Sequence, residues 1–286
     1  MTPPPPMIAS DAAKMMDRVI PAPLSHPSRP AEDRTAAGQR PAEAAPSATP
    51  ASGMVYAIGD IHGMDDLLGR LLAAIAADRT DKTTPYTVVF LGDAVNRGPQ
   101  TRQVLQRLIA GPTDAASRWI VLRGNHEQAM LDVLTGGDED GFRRWLRRGG
   151  RRTLASYGAT EKDMAPARAR ALIGAEHLDF LASLPLTHVA GDHLFVHAGV
   201  APGVSLAEQS PATLMNIRGA FLRKWHRLPY TVVHGHTPTS GAPLLGPGRI
   251  GIDSGACVTG ILTAIAIDTA TRQHWFLRVL DPDMSP

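Results

Sequence analysis

The sequence predicts an α/β fold built as a two-sheet sandwich in one domain, and three observations carry that prediction. Three β-turn-α units follow one another from Met54, which argues for a sheet with largely parallel strands at its start. After a helical middle, strand-like runs return without long helices between them, so this half is expected to be mostly antiparallel. A hydrophobic content of 43% supplies the core that such layers need.

The first unit opens with "MVYAI" from Met54, turns through "GDIHG" and continues into "MDDLLGRLLAAIAA", whose leucines and isoleucine fall at helical spacing. The second runs "YTVVFL", "GDAVNRGP", "TRQVLQRLIA", and the third "RWIVLR", "GNHE", "QAMLDVL". From about Gly136 to Leu186 the chain reads as helical and irregular, including "FRRWLRRGGRRTLASYG" and "AEHLDFLASLPL". Strands then return as "THVA", "DHLFVH", "YTVVHG", "RIGID", "ILTAIAID" and "QHWFLRVL". No internal repeat is evident.

Residues 1–53 differ from everything after them. They hold nearly half of the 24 prolines and few large apolar residues. Such a stretch buries too little apolar surface to offset its ordering entropy. It is expected to be a disordered Pro/Ala-rich tail, with residues 54–286 the folded domain. A short partner-bound helix at "DAAKMMDRVI" is the lesser reading. The segment also lacks the apolar stretch of a secretory signal.

A net charge of +2 is too small to force a nucleic-acid or membrane role. No apolar run approaches the roughly 18 residues of a membrane span. The single cysteine, Cys257, excludes an internal disulfide and a cysteine metal cluster, so the cytoplasm is the expected location. A monomer is expected.

The chemistry-bearing residues share one position in the pattern. In open α/β sheets, ligands collect just past the carboxyl ends of strands. Asp60 and His62, Asp93 and Arg97, Asn125 and His126, His197, and then His234 and His236 each follow an apolar strand, most beside a glycine. One strand-end Asp or His is ordinarily a turn residue or a satisfied polar group. Five strand ends delivering Asp, His and Asn to one edge form a metal-site pattern.

The turns "GDIHG", "GDAVNRG", "GNHE", "FVHAG" and "VVHGHTP" together resemble those of the metallophosphoesterases, specifically the phosphoprotein phosphatase family in its bacterial and phage-like branch. "WLRRGGRRTLASYG", "NIRGAFL" and "RIGIDSGACVTGILTAIAID" resemble accessory stretches of the same group, so the match runs from Met54 to about Leu280. The resemblance implies the calcineurin-like form of the two-sheet sandwich and a centre of two divalent metal ions. Asp60 and His62 would hold the first ion, Asp93 would bridge both, and Asn125, His197 and His236 would complete the second. His234 would be a packing residue. Arg97 and Arg218 would clamp phosphate, although Asn216 stands where such segments often carry tryptophan. His126 would be the general acid, and Glu127 would orient its turn.

On this reading the activity is metal-dependent hydrolysis of phosphate monoesters, foremost phosphoserine or phosphothreonine on proteins, by a metal-bridging hydroxide. Two carboxylates against two dications leave a formal charge near +2, which suits a phosphate dianion. Ligands of oxygen and imidazole without thiolate favour manganese, iron or zinc, with manganese the choice for assay.

Asn96 is the departure: the usual form of this turn has aspartate there, paired to the histidine that corresponds to His126. An amide can hold the imidazole but cannot offset the charge of imidazolium, so His126 is expected to be a weaker acid. The same residue keeps an alternative alive, symmetrical diadenosine tetraphosphate hydrolysis, whose enzymes resemble this family and also lack that aspartate. A third reading, a phosphoprotein-binding pseudophosphatase, is opposed by the intact ligands. The arginine run from Arg143 to Arg152 is read as a solvated face ahead of an electrostatic guide. Cys257 is expected to be a buried structural thiol, and Trp145, Trp225 and Trp275 to pack in core or groove.

Overall fold

The computed structural model describes residues 17–19, 48–49, 53–136 and 138–284. Among them, twelve strands form two six-stranded sheets. In chain order the strands are β1 (Asp17–Val19), β2 (Ala48–Thr49), β3 (Met54–Ile58), β4 (Tyr86–Phe90), β5 (Ser117–Val121), β6 (Thr187–Ala190), β7 (His193–Val196), β8 (Thr231–His234), β9 (Leu244–Gly246), β10 (Arg249–Gly251), β11 (Ile261–Asp268) and β12 (His274–Leu280). The first sheet has the order β1-β12-β11-β3-β4-β5, the second β2-β6-β7-β8-β10-β9. The main helices of the first half are α1 (Asp65–Asp78), α2 (Thr101–Ala110) and α3 (Asn125–Thr135). A further helical stretch holds α4 (Glu139–Trp145), a kink over Leu146–Gly150 with non-helical backbone at Arg148 and Gly149, α5 (Arg151–Ser156), α6 (Pro166–Ile173) and α7 (Ala175–Ser183).

The period of two along each strand explains the layers. On β3, Tyr56 and Ile58 join the core beneath the helices, while Val55 and Ala57 face the second sheet. On β4, Val88 and Phe90 point to the helices, and Val89 with the following Leu91 points between the sheets. Both faces of these parallel strands are covered, which is why "YTVVFL" is continuously apolar. The second sheet repeats the logic. Phe195 and Val233 fill the space between sheets, whereas Leu194, Val196 and Val232 pack outward against Leu214 and Phe221. Those two residues come from the short helices α8 (Pro211–Asn216) and α9 (Gly219–Arg223).

The strands of the opening units are parallel as expected: β3 pairs with β4 and β4 with β5 in register. The expectation of a mostly antiparallel second half needs correction. β6–β7, β9–β10 and β11–β12 are antiparallel, but β7–β8 and β8–β10 in the middle of the second sheet are parallel. The segment between β7 and β8 is long enough for a crossover, and α8 and α9 are too short to show as a helical period.

Most of the expected tail lies outside the described residues, the "DAAKMMDRVI" helix with it for the most part. Two pieces are described, and both are edge strands. Asp17–Val19 pairs antiparallel with β12, and Ala48–Thr49 pairs parallel with β6. Among the described residues no helix is long and apolar enough to cross a membrane.

Candidate metal centre

Strand ends bring the site together. Asp60 follows β3, Asp93 follows β4, Asn125 follows β5 as the first residue of α3, His197 follows β7, and His236 follows β8. The backbone turns sharply in three of these loops. His62, Asp93, Asn96, Arg97 and His236 all hold left-handed conformations, with φ of 45°, 53°, 69°, 67° and 63°. Such conformations strain residues that carry a side chain and gather at functional sites.

The Asp93 turn is laced to α3 by Glu127. The buried carboxylate of Glu127 accepts the backbone N–H of Gly124 at 2.7 Å, of Asp93 at 2.8 Å and of Val95 at 3.1 Å. Burial, with Asp93 close by, pushes its pKa up to about 7. Glu127 thus orients two turns at once. Asp93 in turn accepts the His126 N–H at 3.0 Å.

Two groups of ligating atoms meet on Asp93. His62, Asp93 and His126 offer atoms within 4.8 Å of one another, and so do Asp93, His197 and His236. His62 Nδ1 is 2.9 Å from Val95 O, and His197 Nδ1 is 2.9 Å from Leu91 O. Burial lowers the pKa of both rings, so both are neutral, with Nδ1–H donating to the carbonyl. Their Nε2 lone pairs then point inward. His197 Nε2 lies 3.0 Å from Asn125 Oδ1 and 3.4 Å from Asp93 Oδ1, and His62 Nε2 lies 3.5 Å from Asp93 Oδ2. Imidazole lone pairs and amide and carboxylate oxygens converge there, with the His126 backbone N–H on Asp93 Oδ1 the donor among them. Nearby acidic groups add to the pattern. Burial and the neighbouring Asp253 and Asp93 carboxylates raise Asp60 well above the usual range, and burial raises Asp93 to about 7. Buried acceptors and carboxylates of this kind fit divalent cations, and the imidazole hydrogen bonds to backbone are those that fix metal-binding tautomers.

The other expected residues sit at the rim. His236 donates its N–H to the Asp60 carboxylate at 3.1 and 3.2 Å, and burial lowers its ring pKa to about 3. Arg218 donates through Nε to His236 Nε2 at 3.0 Å and through Nη2 to His236 O at 2.9 Å. Arg97 Nη2 lies 3.0 Å from His126 Nε2, and Asn96 Nδ2 lies 3.0 Å from His126 Nδ1. Burial, with Arg97 as the next influence, lowers His126 to about 3. All ten residues singled out by sequence therefore lie around one centre. His126 stands within the first ligand group, although the sequence assigned it only a proton, and Asp60 is held by a backbone N–H. His234 is fully buried, edge-on to Phe221 at 5.1 Å, in the packing position expected for it.

Other residues were missed. Asp253, just after β10, is 4% exposed and acts on both Asp60 and Asp93. Its signal was a sixth strand end, "RIGID". Cys257 is only partly buried and lies against the Arg97 guanidinium, so the buried structural thiol is corrected. The two are 160 positions apart in sequence, which hid the basic neighbour. Trp145 is a core residue, and Trp225, 49% exposed, lines a surface groove with Pro202, Gly203, Lys224 and Arg227.

Comparisons with known proteins can be set beside this geometry. Residues 54–260 match the family described as calcineurin-like phosphoesterase. A symmetrical bis(5'-nucleosyl)-tetraphosphatase from Janthinobacterium sp. (strain Marseille) is 34% identical over 154 residues, covering 54% of this chain and 46% of that protein. The protein of the same name from Paracidovorax citrulli (strain AAC00-1) is 37% identical over 155 residues, covering 52% of this chain and 45% of its own. The chain spans about half the length of the curated relatives it matches. Among solved structures, one described as a candidate diadenosine tetraphosphatase superposes with a TM-score of 0.58 at 22% identity, covering 82% of this chain and 97% of that one. A cold-active protein-tyrosine phosphatase of a Shewanella species superposes with a TM-score of 0.51 at 20% identity, covering 78% and 80%. At these identities the superpositions establish a shared fold.

Proposed function

The chain belongs to the calcineurin-like phosphoesterase family, and from that membership we propose that it is a two-metal phosphohydrolase acting on a dinucleoside polyphosphate. The observation that carries the hydrolase reading is the convergence of ligating atoms on Asp93 from two sides. His62 with Asp93, and His197, His236 and Asn125 with Asp93, would hold the ions, with Asp60 beside them. Two divalent ions held by these residues would supply Lewis-acid charge to the phosphoryl group and acidify the attacking water. Manganese is the metal proposed for assay.

The protein's own groups supply the rest. Arg97 and Arg218 rest against site histidines and are placed to grip phosphate oxygens, whose geometry matches the guanidinium fork. Charge spreading onto those oxygens in the transition state strengthens that grip. His126 is a neutral ring whose Nδ1 meets an amide, where a carboxylate would support imidazolium. It can hydrogen-bond a departing oxygen but is ill equipped to give up a full proton.

That weakness supports the choice of substrate. An alkoxide from serine or threonine leaves poorly without a proton. The leaving group of a phosphoanhydride is itself a phosphate, stable as an anion. The sequence put phosphoserine and phosphothreonine first and dinucleoside polyphosphates second; Asn96 and the names of the relatives favour the second. Their name supports symmetrical cleavage, giving two nucleoside diphosphates from a tetraphosphate.

The test is a side-by-side assay of diadenosine tetraphosphate, a phosphoserine peptide and an aryl phosphate with purified protein and manganese, products resolved by chromatography. ADP as the sole nucleotide product, formed faster than phosphate from the peptide, supports the reading. Preference for the peptide would restore the phosphoprotein phosphatase, and binding of substrate without any turnover would leave a binding module.

A further inference from the structure

The kink between α4 and α5 is seated on one of the arginines placed to grip phosphate. Its backbone leaves helical geometry at Arg148 and Gly149, the latter with φ of 113°. A Cβ added at Gly149 would lie 2.5 Å from the Arg97 backbone nitrogen and 3.1 Å from Arg97 Cγ, so the kink rests directly on Arg97. Glycine meets both demands, that φ and that close approach. The chain is fastened on the far side of the kink as well. Gly150 is buried against the ring of Trp145, a core residue. The buried Thr153 then donates through Oγ1 to Asn96 Oδ1 at 2.9 Å, tying α5 to the turn that carries Arg97.

Arg148 is thereby held beside Arg97, with its side chain exposed to solvent. Its charge reaches His126. Arg143, Arg144 and Arg151 of the same run are each paired with a carboxylate, whereas Arg148 makes no ion pair among the described residues. A guanidinium left without a carboxylate, next to a second guanidinium, is suited to an anion with more than one charged group.

The side of the site on which it stands is informative. Arg97 contacts His126, and Arg218 contacts His236, so each arginine serves one of the two ligand groups that meet on Asp93. Arg148 adds its charge on the His126 side, where the departing oxygen is met. In hydrolysis of a phosphoanhydride the water oxygen bonds to phosphorus, the bridging P–O bond breaks, and its electron pair leaves on the nucleoside diphosphate. The water proton passes to solvent. Because His126 is ill equipped to give up a full proton, the charge arriving on that oxygen calls for a cation.

We propose that Arg148 is a substrate-binding residue that grips the leaving phosphate chain, which shapes the site for a polyphosphate over a monoester. The kinetic part rests on the dinucleoside polyphosphate reading above, whereas the grip on a second phosphate can be read from binding alone.

The experiment compares the wild type with Arg148→Gln and with Arg144→Gln, which removes an equal charge from the same run. Each manganese-loaded protein is assayed on diadenosine tetraphosphate and on an aryl phosphate, and its affinities for ADP and orthophosphate are measured by calorimetry. Arg148→Gln should lower kcat/KM for the tetraphosphate roughly tenfold or more and change it less than about twofold for the aryl phosphate. It should weaken ADP roughly tenfold and leave orthophosphate unchanged. Arg144→Gln should match the wild type throughout. Equal losses on both substrates, or equal losses in the two variants, overturn the proposal, because a diffuse field of the whole run acts in that way. Unchanged tetraphosphate turnover in Arg148→Gln overturns it too. If the wild type does not cleave the tetraphosphate, the dinucleotide reading falls and calorimetry decides the grip. Weaker ADP binding in Arg148→Gln then upholds it, and equal binding, or none in the wild type, overturns it.

Discussion

Asn96 shows how much a single atom decides. An amide stands against His126 Nδ1, so the ring is held but imidazolium gains no opposite charge there. Asn96→Asp is therefore expected to raise turnover of an alkyl phosphate relative to an aryl phosphate by roughly tenfold or more, because only the alkoxide needs the proton. An unchanged ratio would refute that role. Asp93 gives the pH dependence. Burial raises its pKa to about 7, so in the metal-free protein it is protonated below that pH. Against an unfolded pKa of about 3.9, its contribution to stability is full below about pH 4 and is lost as pH rises from there through the folded value of about 7. A cation must displace that proton, so metal affinity should fall as pH drops below 7. Calorimetry in buffers of different ionisation enthalpy should find protons released on manganese binding at pH 6 and few at pH 8. Legibility at this scale followed locality. Asp60, Asp93, His126 and His197 each announce themselves by an apolar strand and a sharp turn. Thr153 does not, because its partner Asn96 is 57 positions away and meets it only through the fold.

At the scale of elements, the parallel units were legible because each strand is buried on both faces and each helix shows its period. The middle of the second sheet was not, since α8 and α9 are single turns or little more and gave no sign of a crossover. Asp253 fell in that gap: its strand, β10, has three residues, and its place beside Asp60 depends on the parallel pairing of β10 with β8. The kink between α4 and α5 is the element most exposed to test. Gly149→Ala puts a methyl against the Arg97 backbone in a left-handed conformation, a strain of about 1–3 kcal/mol. It is expected to lower the melting temperature and to raise KM at least severalfold by displacing Arg97. Thermal melts and steady-state kinetics equal to wild type would show that the turn does not bear on that arginine.

For the whole molecule, two sheets and a helical layer meet at one edge where acceptors and carboxylates are buried, with Arg97 and Arg218 beside them at the rim. A fold of this kind should be incomplete in stability without its cations. Manganese at about a thousand times its Kd is expected to add about 4 kcal/mol, raising the melting temperature by ~10 °C. Asp93→Asn should abolish most of that gain. Surface charge plays a smaller part. Arg143, Arg144 and Arg151 are exposed and paired with Glu139, Asp138 and Glu161, a solvated face whose pairs contribute little, whereas Arg148 of the same run acts on His126 at the site. The most direct measurement is manganese-dependent ADP release from diadenosine tetraphosphate by the wild type and by Asp93→Asn, at equal protein and saturating metal. The two-metal account predicts steady ADP formation by the wild type and a loss of at least a hundredfold in the variant. A variant that keeps the wild-type rate would contradict it.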